Sequence, residues 1–108
     1  MFFLVRATYE STARGHLAKH PEDREQVFAR LIQKAGGELR SFFYAFGDED
    51  VVAIVEAPDN QTAFAIELAA SAPGHLRQYR TSPLMTSSEA MAAMKRAGSL
   101  SYKAPLAA

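Results

Sequence analysis

Three features of the sequence predict an α+β fold with the element order β-α-β-β-α-β. The first is Ser41 to Ala57, SFFYAFGDEDVVAIVEA, where two apolar runs flank a polar turn. That pattern reads as a β-hairpin. The second is a pair of segments at helical spacing, Val27-Phe28-Leu31-Ile32-Ala35 before the hairpin and Phe64-Leu68 after it. The third is a strand-like segment outside each helix, Phe2 to Tyr9 and His75 to Ser82. Together they make the ferredoxin-like arrangement. Right-handed crossovers then place both helices on one side of a single antiparallel sheet. The expected spatial order is fourth, first, third, second strand, because the first and third are the most aliphatic and the fourth the most polar.

Each element has its own signals. Phe2 to Tyr9 is apolar on both faces through Val5. Glu10 to Lys19 is polar and contains Gly15, so a loop with at most a helical turn is expected. His20-Pro21-Glu22-Asp23 reads as a helix start: Pro21 suits the first helical position, and Glu22 and Asp23 suit the positive end of the dipole. Lys34 falls in the last turn, and Gly36-Gly37 supplies a left-handed stop. The hairpin is expected to run Glu38 to Phe46, turn at Gly47 to Asp50, and return from Val51 to Glu56. Asp59 then caps a second helix through Ala70, with Phe64 and Leu68 on its buried side. Ser71 to Gly74 breaks that helix, and His75 to Ser82 has the polarity of an edge strand. Thr86-Ser87-Ser88-Glu89 is a capping-box pattern, which predicts a third helix to Ala97. One domain over residues 1–97 and a loosely ordered tail over 98–108 complete the reading.

Size and composition narrow the function classes. A chain of 108 residues is one small domain that can bury a core without staples. The absence of cysteine excludes disulfides, thiolate metal sites and cysteine nucleophiles, and fits a cytoplasmic location. Twelve acidic residues balance twelve basic ones, so the basic excess of a nucleic-acid binder is missing. Arg6 interrupts the apolar N-terminus, which does not read as a signal peptide. No apolar run approaches a membrane span.

The hairpin strands are apolar on both faces, and strands of that kind must be covered from two sides. Pairing Phe46 with Val51, Tyr44 with Ala53 and Phe42 with Val55 puts these six on one face. Phe43, Ala45, Val52 and Ile54 take the other. The second set is compact and is expected to pack under the helices with Phe28 and Leu31. The first set, with Phe2, Leu4, Arg6 and Thr8 and with His75, Arg77, Tyr79 and Thr81, is expected on the open face. A one-residue shift exchanges the two sets. So much open apolar surface predicts a second copy packed sheet to sheet, as a homodimer or higher oligomer.

At Gly36-Gly37, Ser41-Phe42-Phe43-Tyr44, Gly47 to Val52 and Glu56-Ala57-Pro58-Asp59 the chain resembles the GYD-domain family, from Phe2 to about Met94. Gly47 and Asp50 match the ends of that family's Gly-Tyr-Asp element, and Glu49 stands where its Tyr is expected. The resemblance implies a ferredoxin-like subunit of the dimeric α/β-barrel type, associating through its sheets. It implies no particular reaction. Related barrels include monooxygenases without cofactors, haem-handling enzymes and effector-binding modules.

No HExxH, nucleophile elbow or phosphate loop occurs, and no cofactor is expected. His16 and His20 have a chelating spacing only on a continuous helix, which Gly15 and Pro21 oppose, and no third ligand accompanies them. Asp48, Glu49 and Asp50 read as a solvated turn. The candidate ligand-binding residues are Arg6, Thr8, Phe42, Tyr44, His75, Arg77 and Tyr79. Arg6, among apolar neighbours, needs a carboxylate or a ligand anion. The expected function is non-catalytic: binding a small, partly apolar ligand at the sheet face, or assembly. The alternative is a cofactor-independent monooxygenase or isomerase acting on an aromatic or polyketide-like compound.

Overall fold

The computed structural model describes residues 1–105. Its elements run β1 (Phe2–Tyr9), α1 (Ser11–Lys19), α2 (Arg24–Ala35), β2 (Glu38–Tyr44), β3 (Val51–Glu56), α3 (Asn60–Ser71), β4 (Leu76–Leu84) and α4 (Ser87–Gly98). The four strands form one antiparallel sheet in the order β2-β3-β1-β4. This is the expected ferredoxin-like fold with an added C-terminal helix. The tail expected from residue 98 carries no helix or strand over 99–104, and its end, 106–108, lies outside the described residues.

Local signals explain most boundaries. Asp59 accepts from the Thr62 N–H at 2.8 Å, and Thr86 with Glu89 closes the capping box. Gly36 ends α2 in the left-handed region, φ 99°, which costs glycine least. Gly37 is needed for space: a Cβ there would stand 2.5 Å from the Glu56 carbonyl oxygen and 3.2 Å from Ile32 Cγ2. Two expectations need correction. Asp23, not His20, caps α2, accepting from Gln26 N–H at 3.2 Å, so Pro21 precedes the helix. The segment after β1 is a helix that runs through Gly15, because Ala13 and Leu17, one turn apart, pack on Ala7, Tyr9 and Val51.

The core lies between α2, α3 and the sheet. Val5, Ala53 and Val55 pack with Ile32 and Ile66, and Phe28, Leu31, Leu39, Phe42 and Tyr79 surround them. Tertiary packing overrides the expected buried side of α3. Phe64 and Leu68 are 59% and 54% exposed, while Ala63 and Ile66 are buried. The small side chain of Ala63 packs with Phe3 and Ala57.

The face assignment is reversed on three of the four strands. Phe42 pairs with Ala53 and Tyr44 with Val51, two residues from the expected register. Phe42, Val51, Ala53 and Val55 do share a face with Tyr79, but it is the helix face. Phe43, 68% exposed, lies on the open face with its neighbour Val52 and with Ile54. A register change of two keeps parity, so what is reversed is which set goes under the helices: Ala53 and Val55, smaller than the aromatics beside them, pack with Ile32 and Ile66. Two bulges add local exceptions. The β2–β3 register shifts between Leu39 and Ser41, so Leu39 and Phe42, three apart, both reach the core. The β1–β4 register shifts between Thr8 and Tyr9, and Leu76 and Tyr79 behave likewise. Thr81 also belongs to the helix side, donating to Glu67 of α3 at 2.8 Å. The first strand keeps its expected assignment, with Leu4 and Arg6 alternating against buried Phe3, Val5 and Ala7.

α4 does not cover the open face. None of its residues is buried, and Met91 and Met94 are 56% and 68% exposed. The radius of gyration is 18.0 Å, against about 13 Å for a compact chain of this size. No helix among the described residues is long and apolar enough to cross a membrane.

Candidate functional site

The cleft lies between α2, α3 and the sheet, the side the sequence reading expected to be filled. Its inner chamber, about 220 Å³, has a floor of small residues from β1 and β3: Val5, Ala7 and Val51. Larger side chains flank this floor, Phe42 from β2 and Tyr79 from β4, with Phe28 and Leu31 of α2 above. The rings of Phe42 and Tyr79 each lie 6.4 Å from that of Phe28, tilted by 58° and 74°. This relief of large against small lies on the helix face. A second, more open chamber of about 560 Å³ adjoins it under α1, lined by His16, Leu17 and Glu22 among others. Tyr9, Arg24, Pro73 and His75 line both chambers and form the neck between them.

The neck carries the polar groups. Tyr9 is the last residue of β1, and its ring lies 6.2 Å from His75. Burial and the neighbouring Tyr44 phenol push the Tyr9 hydroxyl up, partly opposed by the Arg24 guanidinium beside it. Burial, and then the charge of Arg24, push His75 below its ordinary value. Burial likewise holds the Tyr44 and Tyr79 phenols above theirs. At neutral pH the neck thus presents a protonated phenol, a neutral imidazole and one guanidinium. Arg24 is ion-paired to Glu22 through Nη1 at 3.0 Å.

The neck is braced from the hairpin loop. Asp50 accepts from the Tyr9 N–H at 2.8 Å and from Arg14 Nε of α1 at 3.2 Å. The hydrogen bond from Arg14 holds the Asp50 carboxyl below its usual range. Asp50, expected in a solvated turn, ties that turn to β1 and α1 instead.

Of the seven candidate residues, four gather at the cleft. Phe42, His75 and Tyr79 line the inner chamber, and Tyr44 stacks edge-on against Phe42 with ring centroids 5.4 Å apart. The expected pocket beside Arg6 on the open face is not where the cavity lies. Arg6 faces away from the cleft, donates to Ser82 Oγ at 3.4 Å, lies 3.9 Å from Glu49, and has a buried Nε with no acceptor. Thr8 is buried under the hairpin loop, its hydroxyl donating to the Asp48 carbonyl at 3.3 Å. Arg77 is exposed beside the β4 bulge and lines neither chamber. His16 and His20 do come together, with ring centroids 4.9 Å apart, but no group of three metal-ligating side chains forms among the described residues.

Tyr9, Arg24 and Phe28 were missed as site residues. Phe28 has the helical spacing of an ordinary core residue. Arg24 follows Glu22-Asp23 at a helix start, where a charged residue is commonplace. Tyr9 is marked in sequence only as the last aromatic of its strand.

Fold and cleft together define an α+β ferredoxin-like domain with a cavity between helices and sheet. The family model of the GYD domain matches residues 3–94, and the chain belongs to that family. Among solved structures it is similar to the mycobacterial protein AldR, with a TM-score of 0.58 and 14% identity. That match covers 79% of this chain and 51% of the other, so the chain spans about half the length of AldR; the likeness is one of fold. No curated protein matches the chain.

Proposed function

We propose that this protein binds a small, largely apolar ligand in the cleft between α2, α3 and the sheet. The carrying observation is the cleft's polarity: a largely apolar inner chamber with Tyr9, Arg24 and His75 collected at one end, Tyr79 being, among the described residues, the one other lining residue with a polar side-chain atom. Binding sites for small molecules combine apolar walls with a few orienting polar groups in this way. Methyl NMR with toluene as probe tests it. Val27 and Leu31 should shift on titration, while Leu4, Val52 and Ile54 on the open face stay in place. Shifts confined to the open face would contradict the reading.

Two further readings attach to particular observations. The neutral His75 beside Tyr9 favours, second, a proton-transfer enzyme of isomerase type, with His75 as base and a phenol as donor. Its signature is a rate that falls as His75 is protonated and that is lost in His75→Gln without loss of binding. The uncovered Phe43, Val52 and Ile54 favour assembly as a homodimer through the open sheet face. Sedimentation at micromolar concentration tests that: a dimer is expected, and a clean monomer would remove it.

A further inference from the structure

We propose that the cleft selects a single aromatic ring bearing one anionic substituent, a monocyclic aromatic carboxylate in chemical class. The proposal rests on the binding function argued above and adds the ligand's size and charge.

Size comes from the inner chamber. A cavity of about 150 Å³ lined by apolar side chains holds benzene. A chamber of about 220 Å³ therefore takes one ring with a short substituent, and anything longer must pass the neck into the outer chamber. The walls suit a ring: Phe28 lies between Phe42 and Tyr79, with interplanar angles that offer ring edges as well as faces.

Charge comes from the neck. Arg24 is the one charged side chain lining the inner chamber among the described residues. Its side chain is only 26% exposed, so its field is screened less than that of a surface cation. Glu22 engages Nη1, leaving other N–H groups of the fork. The Tyr9 phenol, kept protonated by burial, is a second donor beside it. Both groups favour an acceptor at the end of the ring, and a carboxylate matches a guanidinium fork best. A cation at the same point would be repelled by Arg24 to the extent that Glu22, 3.0 Å from Nη1, leaves its charge uncompensated.

Calorimetric titration with three near-isosteres, benzoate, benzamide and benzamidine, reads the charge preference, and toluene reads the cavity alone. Toluene should bind the wild-type protein. Benzoate should bind about tenfold or more tighter than benzamide, and benzamidine weakest. Arg24→Gln should erase the ranking, and Arg24→Lys should restore part of it. If toluene fails to bind the wild-type protein, the cleft itself is not a site, and both readings fall. If toluene binds but the three isosteres bind alike, or Arg24→Gln leaves benzoate unaffected, the binding function stands and the anionic ligand class is overturned. The wild-type ranking decides the class even if a variant does not fold.

Discussion

Asp50 holds the end of β1 in place: its Oδ2 accepts the Tyr9 backbone N–H at 2.8 Å across 41 residues of sequence. Through this bond the hairpin loop fixes the residue that forms one wall of the neck. Arg14 of α1 joins the same carboxylate, so strand, loop and the helix over the outer chamber meet at one group. Hydrogen bonds to a charged acceptor contribute about 1.5–3 kcal/mol each, less where water competes. Asp50→Ala should lower stability by about 1.5–3 kcal/mol in urea unfolding. It should also weaken toluene binding, because Tyr9 loses its anchor. Arg14→Ala, at a more exposed site, should cost about 1 kcal/mol or less. Equal effects of the two substitutions would place the weight on the ion pair and not on the bond to β1.

The two neighbouring phenylalanines of β2 separate the faces of the sheet. Phe42 packs on Phe28 and Tyr44, while Phe43 points to the open side. Phe42→Asp should destabilise the subunit by about 3–5 kcal/mol or more, enough to unfold a marginal domain. Phe43→Asp should leave the stability of the monomer within about 0.5 kcal/mol. Circular dichroism on both variants checks the register. A stable Phe42→Asp with an unfolded Phe43→Asp would mean the sheet is turned over.

Gly37 is required by the backbone of β3 and not by its own conformation. A methyl group would collide with the Glu56 carbonyl, which the sheet cannot move. Gly37→Ala should cost about 1–3 kcal/mol. Each kcal/mol lowers Tm by about 4–8 °C in a domain of this size. At Gly36, where nothing lies within 4 Å, Gly36→Ala should cost only the strain of its positive φ, about 1 kcal/mol.

Two groups set the acid side of the stability curve. His75 lies below its ordinary value of 6.5 in the folded protein. The unfolded chain therefore takes up that proton first, and stability falls as pH drops from about 6.5 toward the folded value. Asp50 lies below its ordinary 3.8, so its contribution, full above that pH, is lost as pH falls further through the folded value. His75→Gln should flatten the first loss and Asp50→Asn the second, measured as urea midpoints from pH 8 to 3. A midpoint that rises between pH 7 and 5.5 would contradict the burial of His75.

The order of strands was legible because hydrophobicity decides which strands are central, and turn and capping residues decide where helices stop. Gly36, Asp59 and the Thr86–Glu89 box each fell where local chemistry placed them. The faces were not legible. Alternation says which residues of a strand share a face but not which face meets the helices, and the bulges near Arg40 and Arg77 further break parity locally on β2 and β4. Compactness also misled: Val52 and Ile54 fit under helices as well as Val51, Ala53 and Val55 do, and the packing of Phe28 and Ile32 decides between them. The same error moved the cavity. Phe42, His75 and Tyr79 line the cavity, while Arg6 and Thr8 belong to the opposite side of the sheet.

The central claim is the position of the ligand cleft, and a crystal soaked with bromobenzene tests it most directly. The anomalous signal of bromine locates the ring without reference to any other atom. A peak beneath α2, among Phe28, Phe42 and Tyr79, is the predicted result. A peak on the open face beside Phe43 and Ile54, or no peak in a crystal where that chamber is accessible, would contradict it.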